Sequence, residues 1–166
     1  MESNIIRVMD ITYSSCVDGL GFRDVVFTAF CPHHCEGCHN PQTWDYENGK
    51  DMTIEEVFSL LTKSDITDVT FSGGEPFCQP WPLSVLAEKI RKETSKDIWI
   101  YSGYTFDEIM ADDKKKKLLL LCDVLVDGKF EINNRDLNMR FKGSHNQRII
   151  DIKKSLDSGN VVLLNL

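Results

Sequence analysis

The strongest constraint on the fold of this 166-residue chain is a repeated alternation of two patterns. Runs at 24–30, 68–71, 98–101 and 122–126 are short, rich in β-branched and aromatic residues, and almost continuously apolar. Strands buried on both faces have this character. Between the runs lie segments with helical spacing: Ile54, Val57, Phe58 and Leu61, then Leu83, Leu86, Ala87 and Ile90. Helix starts are marked as well. Thr53 with Glu56 and Thr105 with Glu108 have the form of capping boxes, and Pro80 and Pro82 bracket a third start. Strand, loop and helix in repetition imply an α/β fold with a mostly parallel sheet. In such folds the loops after the strands' C-terminal ends meet on one rim. There are too few units here to close an eight-stranded barrel, so the sheet is expected to stay open.

The loop after the first run carries the densest chemistry. Cys31-Pro32-His33-His34-Cys35-Glu36-Gly37-Cys38-His39-Asn40 holds three cysteines spaced C-x3-C-x2-C. Thiolates this close suit one metal centre better than a set of structural disulfides. Zinc and iron–sulfur clusters both take soft thiolates. For zinc, His34 or His39 would supply a fourth ligand. For a [4Fe–4S] cluster, the fourth iron would be left open to a substrate. The cysteines alone leave both readings standing.

Downstream, Val69-Thr70-Phe71-Ser72-Gly73-Gly74-Glu75-Pro76 runs an apolar strand into a glycine pair and a carboxylate. Together with the cysteines this resembles the radical S-adenosylmethionine (SAM) superfamily. Segments 97–104, 123–130 and 143–148 follow in order. They are similar to the glycyl-radical activating branch, in the pattern of activating proteins of anaerobic ribonucleoside-triphosphate reductase. The resemblance covers residues 18–151 or so and leaves 152–166 as a loosely placed tail. It implies one radical SAM domain over 1–166, built as a partial, open (β/α) barrel. It implies a [4Fe–4S] cluster on Cys31, Cys35 and Cys38, with SAM on the open iron. SAM would then lie beside Gly37, Cys38, His39, Ser72, Gly73, Gly74, Glu75, Ser102, Asp127, Lys129 and Asn146.

The implied reaction is reductive cleavage of SAM, with hydrogen abstraction from a glycine of the reductase's large subunit. A flavodoxin or ferredoxin would supply the electron. The alternatives are activation of another glycyl radical enzyme of the pyruvate formate-lyase type, a radical SAM reaction on a small molecule, and a non-catalytic zinc-binding module. Because Gly37 stands where much of the superfamily has an aromatic residue, stacking on adenine from this position is excluded. The glycine pair and the cysteines lie on different loops, so a change at Gly74 is expected to weaken SAM binding and spare the iron.

The remaining segments give plainer expectations. Ile5 to Val8 reads as an edge strand, 40–51 as a polar loop and 147–152 as a further strand. Gly19-Leu20-Gly21-Phe22-Arg23 reads as a turn leading into the first buried strand, with Arg23 facing the site. Lys114 to Lys117 reads as a solvated helix face. Cys16, Cys78 and Cys122 read as small apolar core residues. A net charge of −7 and an isoelectric point near 5.1 argue against a general nucleic-acid or membrane-surface binder. No stretch reaches the apolar length of a membrane span, and the first ten residues lack a secretion signal. A cytoplasmic location follows, where free thiols favour metal chemistry over disulfides.

Overall fold

The computed structural model describes residues 3–166. Four parallel strands form its centre: β2 (Arg23–Thr28), β4 (Asp68–Gly73), β5 (Ile98–Tyr101) and β6 (Val124–Asp127). Antiparallel strands flank them: β1 (Ile5–Ser15) and β3 (Lys50–Thr53) on one side, β7 (Arg148–Asp151) on the other. The seven-stranded order is β3-β1-β2-β4-β5-β6-β7. The sheet is thus parallel in its core and antiparallel at both margins. The N-terminal strand is not an edge: β1 is eleven residues long and sits between β2 and β3. The edge is β3, part of which falls in the stretch read as a polar loop. Its exposed Lys50 and Asp51 discourage further pairing.

Side chains alternate across the central strands, and the two faces are covered differently. Val26, Val69, Phe71, Ile98, Ile100 and Leu125 point to the main core. They meet Val57 and Leu61 of α1 (Ile54–Leu61), Leu83, Leu86 and Ile90 of α2 (Pro80–Glu93), Ile109 of α3 (Phe106–Met110) and Leu118 of α4 (Asp113–Leu119). Burying one such side chain contributes about 1.5–3 kcal/mol. On the other face Trp99, Val124, Val126 and Ile149 form a smaller cluster with Tyr101, Phe141 and Leu164. Among the described residues no helix contributes to that second cluster, so this face is free to border a cavity.

Local sequence explains the helix boundaries. Thr53 and Thr105 each accept a hydrogen bond from the backbone N–H three residues on, and Glu56 and Glu108 reach back. Both capping boxes are formed. The C-terminal segment is more ordered than its sequence suggested. Asp151 caps α5 (Ile152–Ser158), Gly159 ends it in a left-handed conformation, and the Leu164 N–H donates to Ile149 O at 2.8 Å. Residues 152–166 are therefore helix and strap, not a loose tail. Arg23 is also differently placed from expectation. It is fully buried and donates to Thr70 Oγ1 at 2.7 Å, Val69 O at 2.7 Å and Leu20 O at 2.9 Å. With its bond to Asp97 it ties together the starts of β2, β4 and β5, so every arm of the guanidinium is used inside the fold.

Candidate metal centre

The loops after β2, β4 and β5 converge on one cavity of about 630 Å³. Cys31, Cys35 and Cys38 all line it, and so do His39, Ser72, Gly73, Gly74 and Ser102. All six cysteines of the chain are free thiols. The cysteine loop is short because Phe30 and His34 both adopt positive φ, and the Cys38 N–H closes a turn onto Cys35 O at 3.1 Å. Its entry is fixed by two strand-like bonds, from Phe30 N–H to Thr43 O at 2.8 Å and from Cys31 N–H to Trp44 O at 3.3 Å. Burial pushes the Cys31 thiol above its ordinary pKa, and the nearby Glu75 carboxylate pushes the same way. Burial raises Cys35 as well. A metal centre binding here must therefore displace thiol protons.

Gly73 and Gly74 are required by close backbone approach. Gly73 has φ +109, and a Cβ on it would lie 2.2 Å from Thr28 N. A Cβ on Gly74 would lie 2.3 Å from the carbonyl oxygen of Phe30. The glycine loop is laid directly against the residue that precedes Cys31. The expected independence of the two loops is thus overturned: a side chain at Gly74 displaces the cysteine loop itself.

Glu75 is completely buried and all its bonds are internal. One carboxylate oxygen accepts from Phe77 N–H at 3.0 Å and Ser102 Oγ at 2.9 Å. The other faces His33 Nε2 at 2.9 Å and accepts from Gly103 N–H at 2.8 Å. This carboxylate joins three rim loops, those carrying the cysteines, the glycine pair and Ser102. Burying it is tolerable because both oxygens are fully supplied with donors. His33 lies between two cysteines and packs edge-on against Tyr104, with ring centroids 4.5 Å apart. A Cβ on Gly103 would strike that imidazole, which explains the glycine there.

Asp127, Lys129 and Asn146, expected beside SAM, stand apart from the cavity lining. Asp127 is buried and accepts from Phe106 N–H at 2.7 Å and Arg148 Nε at 2.9 Å. It caps α3 and pins β7. Lys129 is exposed, and its carbonyl oxygen accepts from the exposed Asn146 side chain at 2.8 Å. Gly37 has φ +72 and is backed by Ile132 and Phe130.

Two comparisons bear on this arrangement. A family profile described as a 4Fe-4S single cluster domain matches residues 17–150. The anaerobic ribonucleoside-triphosphate reductase-activating protein of Enterobacteria phage T4 is 37% identical over 142 residues, 80% of this chain and 86% of that protein. The proteins of the same name from Pasteurella multocida and Escherichia coli K12 are each 34% identical, covering 80% and 79% of this chain and 89% of their own lengths. This chain belongs to the anaerobic ribonucleoside-triphosphate reductase-activating protein family.

The match of this chain to a 4Fe-4S single cluster domain agrees with the site, whose residues fit such a group. Three free thiols face one cavity, beside a glycine backbone that leaves room next to them. Among the described residues no three His, Cys, Asp or Glu side chains gather as a single metal ion would require. Sequence reasoning missed several lining residues. Phe130 stands behind Gly37, with its ring 5.2 Å from His39, so an aromatic surface reaches this corner from another loop. Tyr101, Phe141, Arg140 and Lys142 also line the cavity. Tyr101 was visible as the inward-facing end of a strand, whereas the loop residues carry no local signal. Cys16, read as a core residue, is exposed and lines the cavity. Cys122 is buried in the core as expected, and Cys78 is half-buried near Glu75 and Cys31.

Proposed function

We propose that this chain activates an anaerobic ribonucleoside-triphosphate reductase by generating a glycyl radical on its large subunit. Cys31, Cys35 and Cys38 would hold a [4Fe–4S] cluster. When bound, the cluster supplies a low-potential electron that cleaves SAM to methionine and a 5′-deoxyadenosyl radical, which takes a hydrogen atom from the partner's glycine. Convergence of the three thiols and the Gly73–Gly74 backbone on one cavity carries this reading.

The chain's own residues do the positioning. Ser72, Gly73 and Gly74 line the cavity with the thiols, where the methionine end of SAM would lie. His39, backed by Phe130, offers an aromatic wall for adenine, next to Gly37. Glu75 with Ser102, and Asp127 with Arg148, hold the rim loops in register. Lys129 and Asn146 extend the rim outward, toward a partner. A partial, open barrel suits this task, because the sheet face without helices borders the cavity. The cavity mouth carries Val17 and Leu137, 70% and 79% exposed, which a protein partner would cover while excluding water and oxidants.

The reading is tested by reconstituting the chain with iron and sulfide under argon. Native protein with dithionite should yield methionine and 5′-deoxyadenosine from SAM. Alanine at Cys31, Cys35 or Cys38 should abolish both iron retention and cleavage, while Cys122→Ala keeps them. A colourless native protein with stoichiometric zinc and no SAM cleavage would overturn it.

A further inference from the structure

A second cavity, of about 390 Å³, opens beside the cysteine loop and shares no lining residue with the first. In two places residues adjacent in sequence line one cavity each. Phe30 lines the second cavity and Cys31 the first; Tyr104 lines the second and Gly103 the first. We propose that this second cavity is the docking face for the protein that delivers the electron, a one-electron carrier with an acidic surface. The inference rests on the functional reading above and adds where the electron enters.

Three observations carry it. First, this face offers a short route inward. The Tyr104 ring packs on His33, inside the cysteine motif, at 4.5 Å. Phe30 is bonded to Cys31 through the backbone. Cys78 and Tyr104 both line this cavity. Second, on the proposed function the first cavity is filled by SAM and closed by the reductase, so an electron must arrive from elsewhere. Third, the charge here opposes that of the molecule. The chain carries −7, yet α4 presents Lys114, Lys115, Lys116 and Lys117, and the first two line this cavity. Lys115 is held over the Tyr104 ring at 4.9 Å and pairs with Asp112. Among the described residues Lys114 and Lys116 have no ion-pair partner. Beside them Phe30 is 39% exposed, an apolar contact next to a cationic rim. That combination steers an acidic partner and seats it.

The step balances simply. The reduced carrier loses one electron, the metal centre gains it, and no bond or proton changes place on this chain.

The test uses the holo-protein and a bacterial flavodoxin as probe. In the variant Lys114→Glu/Lys116→Glu, flavodoxin affinity at low salt should fall by about tenfold or more, and its salt dependence should flatten. Flavodoxin binding is read from flavin fluorescence, independently of turnover. Bleaching of the cluster absorbance by reduced flavodoxin should slow in parallel, while bleaching by dithionite stays unchanged. Unaltered flavodoxin affinity in this variant, or no flavodoxin binding by the native chain, would overturn the proposal. So would loss of flavodoxin binding in Arg140→Glu/Lys142→Glu alone, which would place the carrier at the first cavity. The functional reading fails separately, if the native chain with dithionite cleaves no SAM.

Discussion

At Gly74 and Glu75, single atoms decide whether the cysteine loop can form. Gly74→Ala places a methyl group against the Phe30 carbonyl, a backbone atom that cannot swing aside. It should cost about 1–3 kcal/mol of stability and lower iron content as well, since the displaced residue adjoins Cys31. Gly21→Ala is the control. Its φ is +75 but nothing lies within 4 Å, so only backbone strain of roughly 1–2 kcal/mol applies and iron should be retained. Thermal melts with iron analysis separate the two. If Gly74→Ala keeps full iron, the loops are more independent than the structure implies. Glu75→Gln probes the second atom set. An amide has one acceptor oxygen, so its NH2 must face Phe77 N–H or Gly103 N–H in a buried site. The expected cost is about 1–3 kcal/mol, with the three-loop junction loosened. Urea midpoints measure it, and an unchanged midpoint would contradict the keystone role given to this carboxylate.

Among the elements, the two capping boxes make a pH prediction. Bonds from the Thr53 backbone and hydroxyl hold the Glu56 carboxyl below its ordinary pKa, and those from Thr105 do the same for Glu108. A carboxyl depressed by folding adds stability that is present above its unfolded value, near 4.5, and is lost as pH falls through the lower folded value. Thr105→Ala should cost about 1 kcal/mol at neutral pH and less in acid, where Glu108 is protonated. Urea midpoints at pH 7 and pH 3 check this; an equal loss at both would detach the cap from Glu108. These boxes were legible in the sequence because their partners sit three residues apart. The parallel strands were legible because both faces are buried. The antiparallel margins were legible only in part: 147–152 became β7 as expected, Ile5 to Val8 marked only the first third of β1, and β3 went unread. In β1 the buried positions are Ile6, Val8 and Ser15, and Thr12, Tyr13 and Ser14 of its outer half are all exposed, so no apolar run announces that half. The last helix had usable signals, Asp151 at its start and Gly159 at its end, within a stretch of few large apolar residues. Within the site, the cysteines and glycines were legible from spacing. The bonds of Glu75 to His33 and Ser102 join residues 42 and 27 positions apart, and only the folded chain reveals them.

At the scale of the whole molecule, charge is unevenly distributed. Residues 129–148 carry five basic and two acidic side chains in a chain of net charge −7, and Arg140 and Lys142 of this stretch line the first cavity. With the exposed Leu137 they form a mouth suited to a protein surface rather than a buried pocket for a metabolite. Leu137→Asp should therefore weaken partner binding without reducing cluster content or dithionite-driven SAM cleavage, as titration with the reductase's large subunit would show. No helix among the described residues is long and apolar enough to cross a membrane. On the proposed function, this cavity makes a radical for another protein's glycine. The most direct test is the electron-paramagnetic-resonance spectrum of the large subunit after anaerobic mixing with this chain, SAM and reductant. A glycyl doublet on the large subunit, absent when this chain is omitted or carries Cys35→Ala, is the predicted result. A diamagnetic glycine, while SAM is consumed at full rate on a small metabolite, would contradict the proposed function.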